Sequence, residues 1–219
     1  MKKIWQRGLF LLSFTALGWM LCQFPSSAVA NPDGVQIPAS VKQLVKVRYK
    51  GKSRGKFIFY EKNKTGKWKA VFSGNVWLGK KGIGKKKEGD KKTPTGLYPL
   101  GKAFGIMKNP GTTMPYVKVN RYHYWCGDSG SKYYNRLIWT DKTRHRCKGE
   151  HLISYRGVYD YAIFIGYNAK GKPGKGSAIF LHCSGGGPTA GCVAISKANM
   201  KRLLKRLKPE KKPYILITK

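Results

Sequence analysis

The stretch Phe180–Ser196, FLHCSGGGPTAGCVAIS, decides how this chain of 219 residues is read. AIFLHC, residues 178–183, reads as a buried strand with His182 near its end. SGGGPTAG then turns the chain, and CVAI (Cys192–Ile195) reads as the next short strand. Side chains alternate across a sheet, so His182 and Cys183 face opposite sides and cannot serve one pocket. Nine residues separate His182 from Cys192, and a glycine-rich turn of that length can bring their side chains together. A thiol with an ordinary pKa of about 8.5 is mostly protonated at neutral pH; a neighbouring imidazole stabilises the thiolate and later returns the proton to a leaving amine. Gly191 lets backbone approach a reacting carbon closely, and the amides of Ala190, Gly191 and Cys192 are candidates for donating to a developing oxyanion. The competing reading of the same spacing is a buried histidine and a buried cysteine that are neighbours for packing alone.

Working outward, strands are expected nearly everywhere. LVKVRY (Leu44–Tyr49) alternates, KFIFY (Lys56–Tyr60) and KWKAVF (Lys67–Phe72) flank the turn-rich EKNKTG, YAIFIGY (Tyr161–Tyr167) is a buried-strand run, and YILIT closes the chain. One helix stands out after Ser196, a capping residue, with Met200, Leu203, Leu204 and Leu207 on one face and Pro209 at its end. The predicted fold class is therefore mainly β, a sandwich or barrel with one amphipathic helix near the C-terminus.

The first thirty residues read as a secretory signal peptide: Lys2, Lys3 and Arg7, an apolar run from Leu9 to Cys22, then Ala28-Val29-Ala30 with cleavage expected after Ala30. An uncleaved anchor or a lipoprotein joined at Cys22 competes, but Leu21 is bulky before a lipidated cysteine and the run is short for a span. Residues 31–219 form one domain, expected to act outside the cytoplasm with no stable membrane insertion. The chain carries 44 Lys+Arg against 9 Asp+Glu, a formal charge of +35, which attracts polyanions. Export and the lack of a recognisable nucleic-acid signature argue against nucleic acid. Acidic wall polymers are the candidate partners, with a solvated surface as the bland alternative. The densest basic block, Lys80–Lys92, reads by its charge alone as a solvated loop.

In an oxidising compartment Cys126 and Cys147 most simply pair with each other. Zinc is the sharper alternative, because His123, Cys126, His145 and Cys147 form an H-x-x-C and H-x-C set; those spacings are irregular for a structural site, so no metal is assigned. Cys183 reads as a small buried hydrophobe.

GSAIFLHCSGGGPTAGCVAI (residues 176–195) resembles the active-site segment of L,D-transpeptidase catalytic domains, the YkuD family, in the branch with a short His-to-Cys gap. Lys86–Gly105, Ser131–Ile138 and Tyr159–Asn168 resemble further segments of that family in the same order, so the resemblance covers about residues 75–208. It implies Cys192 as nucleophile and His182 as general base, with Thr189, Ala190 and Gly191 as substrate- or oxyanion-binding positions and no cofactor. Because Lys80–Lys92 lies directly before the family's Thr93–Gly96 segment, it also implies that this basic block borders the substrate groove, against the solvated-loop alternative. The imidazole is then oriented by a backbone carbonyl, Asp160 being the less favoured orienter. Ala190 stands where the better-known branch has a second histidine, and Val193 and Ala194 stand where an arginine is expected. The implied reaction is attack on a peptidoglycan stem tetrapeptide, release of its terminal D-residue, and capture of the acyl-enzyme by an amine. Capture by water would make a D,L-carboxypeptidase instead, and a nonenzymatic basic wall-binding protein is the remaining alternative.

Overall fold

The architecture grows from a hairpin that sends alternate apolar residues of both strands inward. In the computed structural model, which describes residues 29–30, 35–140 and 147–219, β3 (Gln43–Gly51) and β4 (Arg54–Lys62) pair antiparallel, following the short pair β1 (Val29–Ala30) and β2 (Gln36–Ile37). Val45, Val47, Phe57 and Phe59 turn inward and are fully buried. Burial on that scale stabilises by about 1.5–3 kcal/mol per side chain. Arg48 and Lys56, next to Val47 and Phe57 along the chain, face outward and are exposed.

From this hairpin the sheet continues through β5 (Trp68–Trp77), β6 (Gly96–Gly105), β7 (Tyr116–Lys118), β11 (Ala162–Ile165), β12 (Phe180–Cys183), β13 (Val193–Ile195) and β14 (Pro213–Thr218). The strand order is β11-β12-β13-β5-β4-β3-β14-β6-β7, and β11 also pairs with β6. That extra pairing closes eight strands into a barrel, with β7 added parallel to the far half of β6. Closure satisfies strand edges that would otherwise template aggregation. Of the expected sandwich or barrel, the barrel is therefore the one formed. β6 had no counterpart among the expected strands.

Helix α1 (Lys197–Arg206) begins where expected, with Asn199 N donating to Ser196 Oγ at 3.2 Å. Its buried Met200, Leu203 and Leu204, with Leu207 just beyond, join the cluster formed by the inward residues of the barrel. Asp160 accepts from Gly157 N and Lys197 Nζ, tying the approach to β11 to the first turn of α1.

A second, small sheet lies outside the barrel. β8 (His123–Cys126) sits between β9 (Leu137–Trp139) and β10 (Gly149–His151), antiparallel to both. Cys126 and Cys147 are joined by a disulfide, Cα–Cα 5.2 Å, that ties β8 to the entry of β10. The zinc alternative fails on that bond. His123 is also spent elsewhere, its Nδ1 against Asn120 and its ring stacked on Trp139. His145 lies outside the described residues, as does the predicted signal segment apart from the backbone of β1. Among the described residues there is no cluster of three metal-capable side chains, and no helix is long and apolar enough to cross a membrane.

The small sheet covers the outer face of β12 through aromatic packing. Trp125 and Phe104 both contact Phe180, at ring distances of 4.7 and 5.1 Å, and Tyr159 completes the cluster.

Candidate active site

Two parallel strands position the candidate residues. β12 and β13 run side by side in a register that pairs Leu181 with Val193 and His182 with Ala194. Leu181, Cys183, Val193 and Ile195 belong to the barrel interior, whereas Phe180 and Cys192 belong to the outer cluster under the small sheet. His182 and Cys192 are thus on the same outer face, and Cys183 is on the other, as strand alternation requires. Cys183 is a buried thiol of the core with Tyr161 O 3.5 Å from its sulfur.

His182 is 6% exposed, its ring edge-on to Tyr159 at 5.5 Å. Its Nδ1 lies 2.8 Å from Cys183 O. A carbonyl only accepts, so Nδ1 carries the proton and Nε2 is left as the basic nitrogen. Burial lowers the imidazole pKa to about 4, with the carbonyl bond opposing. The ring is therefore neutral at physiological pH. Asp160, engaged by Gly157 and Lys197, is not its partner.

Cys192 immediately precedes β13, with its sulfur between two backbone groups at the start of β12 and just before it. Its thiol donates to Ala178 O at 3.2 Å, and Sγ accepts from Phe180 N at 3.3 Å. Burial pushes its pKa up to about 12; the Glu150 charge adds to this, while Phe180 N–H and the Lys85 ammonium oppose it. The resting pair is thus a neutral thiol and a neutral imidazole, where the sequence suggested a thiolate held ionised. In so dry a setting neither charge is solvated.

The loop between the two residues is clamped rather than free. Thr189 Oγ1 donates to Cys192 O at 2.7 Å and accepts from Gly191 N at 3.1 Å. Thr93 Oγ1 also donates to Cys192 O, at 3.2 Å, across 99 residues of sequence. Thr189 therefore shapes the loop, its hydroxyl donating to and accepting from the loop's own backbone. The Gly191 amide is likewise spent, leaving Ala190 and Cys192 as the amide candidates for an oxyanion. Gly191 itself has φ +148°, and a Cβ there would stand 3.0 Å from Lys92 O, so only glycine fits without strain.

Cys192, Ala190 and Gly191 line a cavity of about 210 Å³. Its other walls are Lys85, Glu88 and Lys91 from the basic block, Ala178 and Ile179, and Trp125, Gly149 and Glu150 from the small sheet. Lys85 Nζ is 2.8 Å from Asp90 and almost fully buried. Glu150 accepts from the Tyr159 hydroxyl, and burial raises its carboxyl above the usual carboxylate range. Opposite charges thus face each other across a small space beside the sulfur.

Ala178, whose carbonyl receives the thiol, has φ +53°. A non-glycine residue in the left-handed region persists only where its surroundings hold it. Here the holder is Asn135. Its buried Oδ1 accepts from Ala178 N at 3.0 Å and Trp125 Nε1 at 2.9 Å, while Nδ2 donates to Tyr167 O and Asn168 O. Sequence reasoning missed Asn135, Thr93, Trp125, Glu150 and Tyr159 as site residues, whereas Lys85 falls in the basic block it had read as one possible groove border. Asn135 and Thr93 do sit in segments that carried the family resemblance, which was the signal available.

A family model, YkuD, the L,D-transpeptidase catalytic domain, matches residues 45–215. The chain belongs to this family. The YkuD match extends beyond both ends of the resemblance legible in the motifs, taking in the β3–β4 hairpin from Val45 onward and the first half of β14. Among solved structures, the chain is similar to the helical cell shape determining protein Pgp2 from Campylobacter jejuni and to its K307A mutant. Each has a TM-score of 0.43 and 19% sequence identity over 81% of this chain. The chain spans about half of Pgp2, 47% in the mutant and 48% in the unmutated protein. No curated protein matches it. Within the YkuD domain described here, the short His-to-Cys loop is braced by Thr93 and Thr189 and carries Ala190 and Val193 where bulkier polar contacts were expected.

Proposed function

We propose that the protein is an exported cysteine acyltransferase that joins or trims peptidoglycan stem peptides through a thioester on Cys192. The observation that carries this reading is the shared outer face of His182 and Cys192, with Nδ1 pinned by Cys183 O and a neutral Nε2 left to accept a proton. Membership of the YkuD family supports the substrate class. The disulfide between Cys126 and Cys147 supports an oxidising compartment outside the cytoplasm.

In this mechanism the stem carbonyl enters the cavity beside Cys192. The thiol proton leaves Ala178 O and passes to His182 Nε2 as sulfur bonds to the carbonyl carbon. The amides of Ala190 and Cys192 receive the developing oxyanion. Collapse breaks the bond to the terminal D-residue, whose amine takes the proton back from His182, leaving the thioester. An acceptor amine then attacks, its proton passes through Nε2 to the departing sulfur, and a new amide is released. Water in place of the amine yields a shortened stem.

Intact-mass measurement after exposure to a carbapenem tests the nucleophile: one adduct is expected on wild type and none on Cys192→Ala. An unmodified wild-type protein, or equal labelling of the variant, would remove the reading. Incubation with disaccharide-tetrapeptide, with products identified by mass, separates cross-linked dimer from trimmed monomer.

A further inference from the structure

A row of outward-facing residues runs across the barrel from the candidate active site to a basic groove. His182 pairs with Ala194, Ala194 with Trp77, and Trp77 with Arg54. Directly paired residues point to one face, and strands lie about 4.8 Å apart, so this row spans roughly 14 Å from the imidazole to Arg54. At its far end lies a groove of about 550 Å³, lined by Lys50, Arg54, Lys56 and Trp77 on one side and by Ser184 and Ala194 on the other.

The groove is arranged for anions. Arg54 is stacked over the Trp77 ring at 4.7 Å, which holds its guanidinium in place. Lys56 stands directly opposite Arg48 on the neighbouring strand, and both are exposed. Like charges opposed across a ladder destabilise a sheet, and none of the ion pairs among the described residues involves Arg48, Lys50, Arg54 or Lys56. None of the acidic residues lines the groove. The fold therefore carries a repulsion that a bound anion would relieve.

We propose that this groove docks peptidoglycan through the free carboxylates of stem peptides next to the one reacting at Cys192. It would anchor the polymer while the chemistry proceeds about four extended residues away. This rests on the proposed acyl transfer only for the polymer's identity. Charge complementarity and the unbroken row from His182 carry the rest.

The test is co-sedimentation of the purified protein with insoluble peptidoglycan at several salt concentrations. Arg54→Glu/Lys56→Glu is compared with Lys64→Glu/Lys67→Glu, which makes the same charge change at the other end of the β4–β5 pairing. The groove variant is expected to bind roughly tenfold more weakly, and the control to stay within about twofold. Binding is also expected to fall when the stems are removed by amidase. Lys56→Glu sets an acid opposite Arg48, so the melting temperature should hold or rise, which separates lost docking from lost folding. Equal weakening of both variants would reduce the effect to overall charge and overturn the groove. Full retention by stripped glycan would overturn the carboxylate assignment, and preferential loss of binding to duplex DNA would assign the face to nucleic acid. Carbapenem labelling of Cys192 should be the same in the groove variant and wild type. Absence of labelling in wild type would refute the acyl-transfer reading while leaving the docking result to stand on its own.

Discussion

Replacing Asn135 by alanine should damage both stability and the reactivity of Cys192, because one buried amide holds two parts of the site. Asn135 is 3% exposed and makes four hydrogen bonds, to Ala178, Trp125, Tyr167 and Asn168. Truncation orphans the buried donor Trp125 Nε1 and the part-buried Ala178 N, at about 1–3 kcal/mol each. It also leaves alanine at φ +58°, a position that asparagine tolerates better than most residues. Water entering the space recovers part of this, so a net loss of about 3–4 kcal/mol is expected. For a domain of this size that corresponds to a melting temperature lower by roughly 6–16 °C. The functional consequence runs through Ala178, whose strained backbone presents the carbonyl that receives the Cys192 thiol. The second-order rate of Cys192 acylation should therefore fall at least tenfold at a temperature where the variant remains folded, read by intact mass against time. Calorimetry checks the first effect. A melting temperature within 2 °C of wild type, or an unchanged acylation rate in folded variant, would refute the view that Asn135 holds the Ala178 carbonyl in position.

Two further outcomes follow from the same geometry. His182 has a folded pKa of about 4 against about 6.5 when unfolded, so the unfolded chain binds the extra proton between those values. Stability contributed by the neutral ring is fully present above pH 6.5 and is lost as pH falls to 4, a change of about 3 kcal/mol. Denaturant titrations from pH 7 to 4 should show this slope in wild type and a shallower one in His182→Asn; parallel slopes would contradict the buried neutral imidazole. Replacing Cys126 and Cys147 by serine should cost about 3 kcal/mol, because the disulfide closes a separation of 21 residues. Because Trp125, Gly149 and Glu150 wall the cavity from the same small sheet, amide exchange should rise in β8 and β10 before it rises in β12. Uniform exchange across both would count against a separately tethered cover.

Much of this molecule was legible because its chemistry is local in sequence. β3, β4, β12 and β14 announce themselves by apolar runs or alternation, and α1 by a cap, a four-residue apolar face and Pro209. Cys192 and His182 were legible because one turn joins them. β6 was not, since Gly96, Pro99, Gly101 and Gly105 dilute its pattern and a proline in a run argues against a strand. It becomes a strand because β14, β11 and β7 all pair with it.

By itself, then, the amino-acid order determined which side chains can face the same way along β12 and β13, because alternation at period two needs no knowledge of the rest of the chain. Only the tertiary structure decided that both groups are uncharged at rest, because their pKa values depend on burial by segments far away in sequence. It also decided that Thr93 and Asn135 brace the loop and the Ala178 carbonyl, contacts that span 99 and 43 residues. A buried polar side chain leaves no periodic mark in a sequence; its partners exist only once the barrel has closed and the small sheet has folded down over it.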